Sequence, residues 1–591
     1  MPARSLSLKR ELEDIHSASE TKTIALFSPR LTQDASPSAS DTESSRILAF
    51  DQAHQKTGPK APAGPKPAMG WNSFWPLGCG KQVKEDNLSK QAGLLVEKGL
   101  NKAGYTTVII ECGWEDWPSS DGSPNIKESA FSEGIDRFSD DLNSKGLRLG
   151  LGTWAGNQLC KRNPHEKFHG GDIPKDLKRY VSTLADRGMM YLSHRPCDLA
   201  SPNRLQDPNQ AKELNSRYIQ MEDAIHDSGK EIFYATGQWG ASPDVNRQLQ
   251  ANSWKVADDT RDNWNSLIRT MNALAPFAPK AGPGSFIDLG LLQLGNNKMT
   301  DPEKITQFTF WAAAKSPLIF STDLSQLDQY YTDILTRPEI ISINQDDLGK
   351  SITLNRRYSG EKDIWSAPLS DGSTVAVIVN WENQVAQKSI KMSDLGFSSA
   401  RVTDIWTGKD YGTFNDTVQY SQYSGPHGSL LLKLTETKPA PKRNLKRFPA
   451  EVADAMGSAR LKDVNPKAKA ISMISPNGGG GVRWNNIPGG PAKGDVLVSI
   501  DFINADLATG DGDDSKLNFK RTVFTINDTD KVYVDFPISG LLWEDVYEGF
   551  LVSLPLNPGD NRVLIEGVDD WAPDFVCLSV EQTADQQPSS S

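Results

Sequence analysis

The chain has 591 residues, of which 24% are charged and 37% hydrophobic, and its formal net charge is −11. One hydrophobic core does not extend to this length, so two or three globular domains are expected. The negative charge and the lack of a Lys/Arg tract argue against a nucleic-acid partner. No apolar run approaches the ~18 residues needed to cross a bilayer, so no membrane partner is expected either.

The first 66 residues are rich in Ser, Pro and Lys and show little apolar periodicity, which predicts a disordered N-terminal arm. Charged residues stand where a signal peptide needs its apolar stretch. Taken literally, this start indicates a cytoplasmic protein, whereas a missed leader would make the chain secreted. The five cysteines show no metal-ligand spacing, and up to two disulfides are open to Cys79, Cys112, Cys160 and Cys197.

From Met69 onward, short apolar or β-branched runs alternate with segments of helical period. Eight such units predict a (β/α)8 barrel over residues 67–350, because parallel strands need helical crossovers and eight of them close a ring. A doubly wound open sheet is the alternative, but it does not usually repeat eight times. The candidate strands are MGWNSF at 69, TVIIECGW at 107, LRLGLGTWAG at 147, MMYLSH at 189, EIFYATGQW at 231, SWKVADD at 253, AGPGSFIDLG near 285 and SPLIFSTDL at 316.

The rhythm changes after residue 350. Residues 351–437 alternate at period two between turn residues, which predicts an antiparallel β-sandwich. A basic, Pro-containing stretch over 438–458 is expected to be a linker. Residues 459–582 have the length and pattern of a second β-sandwich, and residues 583–591 are expected to be a disordered tail.

In a barrel of this kind, the residues that follow each strand face one shared pocket. Here they are mainly carboxylates and tryptophans, the combination with which glycosidases cleave and hold a sugar. The competing interpretation is that these acids solvate loops and cap helices. The residues in question are Trp71, Asn72, Glu111, Trp114, Glu115, Asp116, Trp154, His194, Arg195, Asp198, Gln238, Trp239, Lys255, Asp258, Asp259, Asp288 and Asp323.

Eight segments resemble, in the same order, the signature segments of glycoside hydrolase family 27, the α-galactosidase and α-N-acetylgalactosaminidase group. The resemblance covers about residues 67–437. It implies a retaining mechanism with an Asp nucleophile at the end of strand four, an Asp acid/base after strand six, and no metal or cofactor. The segments are AMGWNSF, IIECGW, LGLGTWAGNQLC, GMMYLSHRPC, NSWKVADDTRDNWNS, AGPGSFIDLGLLQLG, FWAAAKSPLIFSTDL and EIISINQDDLGK.

Carried over residue by residue, the resemblance implies that Asp259 is the acid/base. The nucleophile position holds Arg195, which stays protonated and has no lone pair to offer an anomeric carbon. A displaced nucleophile is therefore sought nearby, and Asp198 is the nearest candidate. The positions implied to bind substrate are Trp71, Glu111, Cys112, Trp154, Ser193, Gln238, Trp239, Lys255 and Asp288.

Three accounts of the barrel remain open. It could be an α-galactosidase-like hydrolase of terminal α-galactosides with a displaced carboxylate, a site in which Arg195 binds an anion, or a carbohydrate-binding protein without turnover. The hydrolase is the function predicted here, with the binding protein as the alternative. The oligomeric state is not indicated.

The last domain resembles the family 35 carbohydrate-binding modules over about residues 459–582. The resemblance makes Trp484, Trp543 and Trp571 candidate sugar-stacking residues and allows calcium at the acidic stretch 505–514. Three Asn-x-Ser/Thr tripeptides, which begin at Asn87, Asn415 and Asn527, would matter if the chain is secreted.

Overall fold

The computed structural model describes residues 64–582 with gaps at 117–118, 120, 156–173, 175, 197–207, 238–250, 386, 420–424, 467 and 509–514. The predicted tail and all but residues 64–66 of the predicted arm lie outside the described residues. Within the described part, no helix is long and apolar enough to span a membrane.

The first sheet has eight parallel strands, of which the first seven pair in sequence order and the eighth pairs with the first. A bridge between Leu292 and Phe320 joins the segment after β7 to β8 and closes the ring. The predicted barrel is confirmed. Its strands are β1 (Met69–Asn72), β2 (Thr107–Ile110), β3 (Arg148–Trp154), β4 (Met189–Arg195), β5 (Phe233–Thr236), β6 (Ser253–Lys255), β7 (Phe286–Asp288) and β8 (Leu318–Phe320).

Helices connect the strands, and side-chain caps fix where several of them begin. Asp176, Asn263 and Asp328 each accept a backbone N–H of the first helical turn, and Thr300 forms a capping box with Glu303. The helices are α1 (Phe74–Leu77), α2 (Glu85–Glu97), α3 (Ile135–Ser144), α4 (Leu177–Asp186), α5 (Pro208–Ser228), α6 (Trp264–Leu274), α7 (Asp301–Ala313), α8 (Gln329–Leu335) and α9 (Pro338–Asn344).

The barrel strands are short and buried, as their apolar and β-branched sequences predict. The TVII sequence of β2 and the LIF sequence of β8 are almost wholly inaccessible to solvent. A separate apolar cluster, which includes Ile109, Tyr191 and Ala235, fills the barrel interior. This interior packing supports the polar side chains that follow the strands.

The second domain is an antiparallel unit with a six-stranded sheet in the order β9-β10-β11-β16-β13-β14 and a two-stranded sheet of β12 and β15. One face of the six-stranded sheet builds an apolar core of its own, while residues of the other face, such as Trp365 and Val377, belong to the barrel cluster. The strands are β9 (Thr353–Tyr358), β10 (Lys362–Pro368), β11 (Thr374–Asn380), β12 (Ser389–Lys391), β13 (Phe397–Asp404), β14 (Asp410–Phe414), β15 (Thr417–Gln419) and β16 (Ser429–Pro439).

The third domain has two antiparallel sheets that share one apolar core, in the orders β19-β20-β27-β22-β25 and β18-β21-β26-β23-β24. Strand β17 pairs with β27 and extends the first of these sheets. The strands are β17 (Leu445–Pro449), β18 (Asp454–Gly457), β19 (Arg460–Asn465), β20 (Ala468–Ser472), β21 (Gly480–Pro488), β22 (Gly494–Ile503), β23 (Phe519–Ile526), β24 (Asp530–Pro537), β25 (Tyr547–Leu556), β26 (Asp560–Gly567) and β27 (Asp574–Glu581).

Two of these strands correct the expectation of a linker over 438–458. Strand β17 pairs with β27, and β18 pairs with β21, so both belong to the third domain. The basic residues Lys446 and Arg447 are exposed to solvent on β17, while Phe448, which follows them, is buried. An edge strand tolerates this composition because only one of its sides packs on the core.

The third domain packs against the rest of the chain. Its residues Leu507, Ile538 and Leu541 belong to the same apolar cluster as the barrel helices. Arg357 of the second domain binds Asp363 with two nitrogens and also donates to Asn272 Oδ1 of α6 at 2.8 Å. All three domains therefore share one packed body.

Candidate active site

Strand β4 delivers the side chain that distinguishes this pocket. Ser193 and Arg195 are two residues apart on β4 and so point to the same side of the sheet. The Arg195 side chain passes over Gly237, where a Cβ atom would lie 2.8 Å from Arg195 Cγ. Glycine at the end of β5 thus leaves the space through which the guanidinium reaches the pocket.

Arg195 contacts two carboxylates that come from different strands. Its Nη1 donates to Asp259 Oδ2 at 2.7 Å. Its Nε lies 2.6 Å from Glu111 Oε1 but is not aligned for a hydrogen bond, so this contact is ionic. The side chains of Arg195, Glu111 and Asp259 are only 13%, 2% and 14% exposed, so the charges attract each other in a largely water-excluded site.

Glu111 follows β2 and is held from three sides. Asn72 at the end of β1 donates its Nδ2 to Oε2 at 2.6 Å, and the Ser193 hydroxyl donates to Oε1 at 3.3 Å. Together with Arg195, these contacts leave the carboxylate little freedom to rotate.

Lys255 at the end of β6 links Asp259 to a third carboxylate. Its Nζ donates to Asp259 Oδ1 at 2.8 Å and lies 3.6 Å from Asp288 Oδ2. Asp288 Oδ1 also accepts the backbone N–H of Gly290 at 2.7 Å. The pocket charges therefore form one chain of alternating sign, which runs from Glu111 through Arg195, Asp259 and Lys255 to Asp288.

The chain of charges determines the protonation of Asp259. Burial alone would raise the pKa of this carboxyl, but the positive charges of Arg195 and Lys255 outweigh burial and hold the pKa well below its usual range. Burial likewise opposes the charge on Lys255, yet Asp259 and Asp288 raise the pKa of its ammonium. Asp259 is therefore ionised at neutral pH.

The same count of charges disfavours the interpretation of Arg195 as an anion-binding residue. Among the described residues, the pocket holds two cations and three carboxylates, and both cations already contact carboxylates. An added phosphate or carboxylate would bring a fourth negative charge into a partly desolvated site.

The pKa of Asp258, the neighbour of Asp259, is shifted in the opposite direction. Burial raises the pKa of its carboxyl to about 7, because Arg269 offsets the desolvation only in part. Arg269 Nε is 3.8 Å from Asp258 Oδ1. Two adjacent carboxyls on the loop after β6 thus differ strongly in their affinity for a proton.

Two of the predicted substrate-binding residues do not reach the pocket. Trp71 is fully buried and donates its indole N–H to the Thr322 carbonyl at 2.8 Å, so no face is available for a sugar. Cys112 is joined to Cys79 in a disulfide. In both cases the side chain alternation at the strand end directs the residue into the barrel wall rather than toward its axis.

The structure brings together Glu111, Ser193, Lys255, Asp259 and Asp288 around Arg195. Trp154 ends β3 and pairs in register with Arg195 of β4, where it is half-buried. Three other candidates, Asp198, Gln238 and Trp239, lie outside the described residues.

Sequence reasoning missed three residues that support the guanidinium and its partners. Asn72 was noted after β1 but not assigned to the site. Phe74 places its ring centroid 5.9 Å from Arg195 Cζ, within cation–π range. Tyr191 stacks on Phe233 below the pocket. It precedes Ser193 by two residues on β4, as Ser193 precedes Arg195, and this alternation could have predicted that all three face the same side.

The third domain has its candidate stacking residues in two different environments. Trp484 is fully buried and donates to the Phe448 carbonyl, so it is a core residue rather than a sugar platform. Trp543 and Trp571 are 39% and 43% exposed. A sugar-binding role for this domain remains a prediction. Among the described residues, no group of His, Cys, Asp or Glu is arranged to hold a metal ion, and residues 509–514 of the predicted calcium loop lie outside the described part.

Two family models match the chain. The model described as alpha galactosidase A matches residues 66–346, and the model described as alpha galactosidase C-terminal beta sandwich domain matches residues 359–434. A probable α-galactosidase from Dictyostelium discoideum is 30% identical over 377 residues, which cover 63% of this chain and 93% of the relative. Probable α-galactosidase D from Aspergillus niger is 31% identical, and the chain spans only 56% of its length.

The barrel and the second domain share their fold with a solved structure. α-Galactosidase I from Mortierella vinacea superposes with a TM-score of 0.56 at 23% identity and covers 64% of this chain and 99% of its own. The matches span the barrel and the second domain. They agree with the eight signature segments and with the ordered sheet of the barrel. The chain therefore belongs to glycoside hydrolase family 27, the α-galactosidase group.

Proposed function

We propose that the barrel is an α-galactosidase-like glycoside hydrolase that acts on terminal α-galactosides. The observation that carries the proposal is the pair of carboxylates, Glu111 and Asp259, that meet at one guanidinium at the carboxyl ends of the barrel strands. Hydrolysis of a glycoside needs two carboxyl groups on either side of the scissile bond. We assign galactose as the sugar because the family relatives bear the name α-galactosidase.

The spacing of this pair suits hydrolysis. Because each carboxylate lies within a hydrogen-bond length of the same guanidinium, their nearest oxygens are at most about 8 Å apart. Retaining enzymes separate their carboxyls by about 5 Å and inverting enzymes by roughly 6.5 to 9.5 Å. Glu111 is therefore the second carboxylate that we propose, whereas Asp198, the candidate from sequence, lies outside the described residues.

The protonation of Asp259 restricts the chemistry. A carboxyl whose pKa is held below its usual range is both a poor proton donor and a weak base at neutral pH, but as a fixed anion it can stabilise the positive charge that develops on the sugar ring in the transition state. Cleavage without a strong acid favours a leaving group that departs without protonation. We expect aryl α-galactosides to be cleaved much faster than α-galactosyl sugars.

The alternative function is carbohydrate binding without turnover. Arg195 favours this alternative, because it stands where the family has its nucleophile and because it forms ion pairs with both candidate carboxylates. In that case the pocket would recognise the sugar through hydrogen bonds, and loss of the covalent step would reduce the rate by several orders of magnitude.

The experiment compares the full chain with its Asp259→Asn variant on a chromogenic aryl α-galactoside. We expect wild-type turnover and a loss on the order of 10³-fold in kcat/KM for the variant, because removal of one group that stabilises the charge of the transition state costs roughly 10²–10³-fold. NMR of the first sugar anomer released distinguishes retention from inversion. Asp258→Asn is the matched control, since it changes the adjacent carboxyl and leaves the contacts of Arg195 and Lys255 intact.

Equal, background-level rates for wild type and Asp259→Asn would exclude hydrolysis of that substrate. Titration of both proteins with galactose by calorimetry then tests the alternative, because a binding protein must still release heat on addition of the sugar. A protein that neither turns over the galactoside nor binds galactose would contradict both functions.

A further inference from the structure

A site for covalent modification is indicated by a feature unrelated to the barrel pocket. The chain contains three Asn-x-Ser/Thr acceptor tripeptides, at Asn87, Asn415 and Asn527. Such a tripeptide is short enough to occur by chance. The structure distinguishes the three tripeptides, because a glycan on a folded protein must extend from Asn Nδ2 into open solvent.

The compartment is indicated by the disulfide between Cys79 and Cys112. Cytosolic thiols are kept reduced, whereas disulfides persist in secreted proteins and in the secretory pathway. A chain that holds this disulfide has passed through an oxidising compartment. In eukaryotes that compartment also contains the enzyme that attaches N-linked glycans.

Asn527 is engaged at both ends of its amide. Its Nδ2 donates to Asn561 Oδ1 at 2.7 Å, and its Oδ1 accepts the backbone N–H of Arg562 at 2.9 Å. Asn561 is itself almost fully buried. A sugar on Asn527 Nδ2 would therefore have to break a contact that ties the turn between β23 and β24 to β26.

Asn87 lies in the first turn of α2, and its amide is also occupied. The Nδ2 donates to the Gln82 carbonyl at 2.8 Å. The other two residues of this tripeptide face the protein, since Leu88 is fully buried and the Ser89 hydroxyl lies 3.5 Å from Asp141 Oδ2. A glycan here would compete with the start of the helix.

Asn415 is in a different situation. It is exposed, and it stands at the tip between β14 (Asp410–Phe414) and β15 (Thr417–Gln419). The turn is fixed from behind, because the backbone N–H of Met392 donates to the Asp416 carbonyl at 2.7 Å and Thr417 pairs with Lys391. The side chain of Asn415 is thus presented to solvent on an anchored connection between two sheets.

We propose that Asn415 is the N-glycosylation site of this protein. The donor is an oligosaccharide linked through pyrophosphate to a polyprenyl lipid. The amide nitrogen of Asn415 forms a bond to the anomeric carbon, the bond from that carbon to the pyrophosphate oxygen breaks, the lipid pyrophosphate leaves with its electron pair, and the amide loses one proton to the transferring enzyme. No oxidant or reductant is consumed.

The test is expression of the full chain through the secretory pathway of a eukaryotic host, followed by enzymatic deglycosylation in H₂¹⁸O and peptide mass spectrometry. Each glycan-bearing Asn is then converted to ¹⁸O-labelled Asp. We expect label at Asn415 in most molecules, and in only a minor fraction at Asn87 and Asn527. Asn415→Gln and Thr417→Ala should remove the label at this tripeptide, whereas Thr417→Ser, which preserves the acceptor pattern, should retain it.

Two results would overturn the proposal. One is unlabelled Asn415 in secreted protein whose Cys79–Cys112 disulfide is shown to be intact by non-reducing peptide mapping. The other is label at Asn527 or Asn87 that equals or exceeds the label at Asn415. Because Asn415 is exposed, its variants should fold, and an unchanged thermal unfolding midpoint after deglycosylation confirms that the comparison concerns modification alone.

Discussion

The end of β4 and the loop after β6 lie on the same rim of the barrel, separated by β5, and bring opposite charges together at Arg195 and Asp259. Strand β6 leads to Asp259, the residue type expected of the family acid/base, whereas β4 ends on Arg195, where the family has a carboxylate. The two side chains contact each other at 2.7 Å. The difference shows that a barrel rim can exchange a carboxylate for a guanidinium when partners of opposite charge surround it.

The comparison also explains why Arg195 is stable where it is. A buried guanidinium costs free energy unless it is paired, and here it contacts Glu111 and Asp259. The carboxylates in turn depend on the guanidinium, because without it they would be like charges at short range. Arg195 and its two partners therefore act as one unit, and the predictions below test how strongly the two strand ends depend on each other.

The largest effect is expected when the cation is removed from β4. Arg195→Met leaves Glu111 and Asp259 buried beside each other without their shared counterion, and loss of one partner of a buried pair costs about 3–5 kcal/mol. The free energy of unfolding, measured in urea, should fall by this amount. Adding Glu111→Gln to the variant should recover part of the loss.

An exposed pair provides the matched control for this variant. Arg401 and Asp410 form an ion pair in the second domain with side chains 46% and 41% exposed. Arg401→Met should lower the free energy of unfolding far less than Arg195→Met, because solvent screens an exposed pair. Equal losses for Arg195→Met and Arg401→Met would contradict the view that the rim charges form a coupled unit.

The next effect concerns the two adjacent carboxyls after β6 and is a function of pH. The pKa of Asp258 is raised from 3.8 to about 7 in the folded state, so between these values the folded protein holds a proton that the unfolded chain releases. The contribution of Asp258 to stability therefore declines as pH rises from about 4 to about 7. Asp258→Asn should lack this decline.

The measurement is the difference in unfolding free energy between Asp258→Asn and wild type, because the contributions of other titrating groups cancel in the difference. This difference should be near zero at pH 4. At pH 7 the variant should be more stable than wild type by on the order of 3 kcal/mol. A difference that does not change with pH would show that Asp258 is ionised in the fold and does not differ from Asp259.

The smallest effect is expected at the glycine that admits Arg195. Gly237→Ala would place a methyl group 2.8 Å from Arg195 Cγ. The side chain has to shift, which should cost about 1–3 kcal/mol, the usual range for overpacking. In the Arg195→Met background the same substitution should cost less, because the shorter, uncharged side chain can move aside. A double-variant cycle by urea unfolding measures this coupling.

Much of the fold could be predicted from the sequence because the signals are local. The alternation of short β-branched runs with helical segments predicted the barrel, and the period of two after residue 350 predicted the antiparallel domains. The order of the signature segments identified the family and placed Arg195 at the nucleophile position. The linker over 438–458 was mispredicted because the pairing of β17 with β27 joins residues far apart in the chain.

The candidate site could be predicted only in part. Asp259, Glu111, Lys255 and Asp288 were identified as pocket residues by their positions after strands, and the structure places them together. The burial of Trp71 and the disulfide of Cys112 could not be read in this way, because a strand end does not specify which side chains face the barrel axis.

The sequence alone determined that this chain is a family 27 barrel with arginine in place of an expected carboxylate. Only the tertiary structure decided that the guanidinium lies between Glu111 and Asp259, and hence that Asp259 is ionised and Glu111 is its partner across the pocket. The physical reason is that ion pairing and pKa depend on distances of a few ångströms between residues from different strands. Those distances are created when the ring of strands closes.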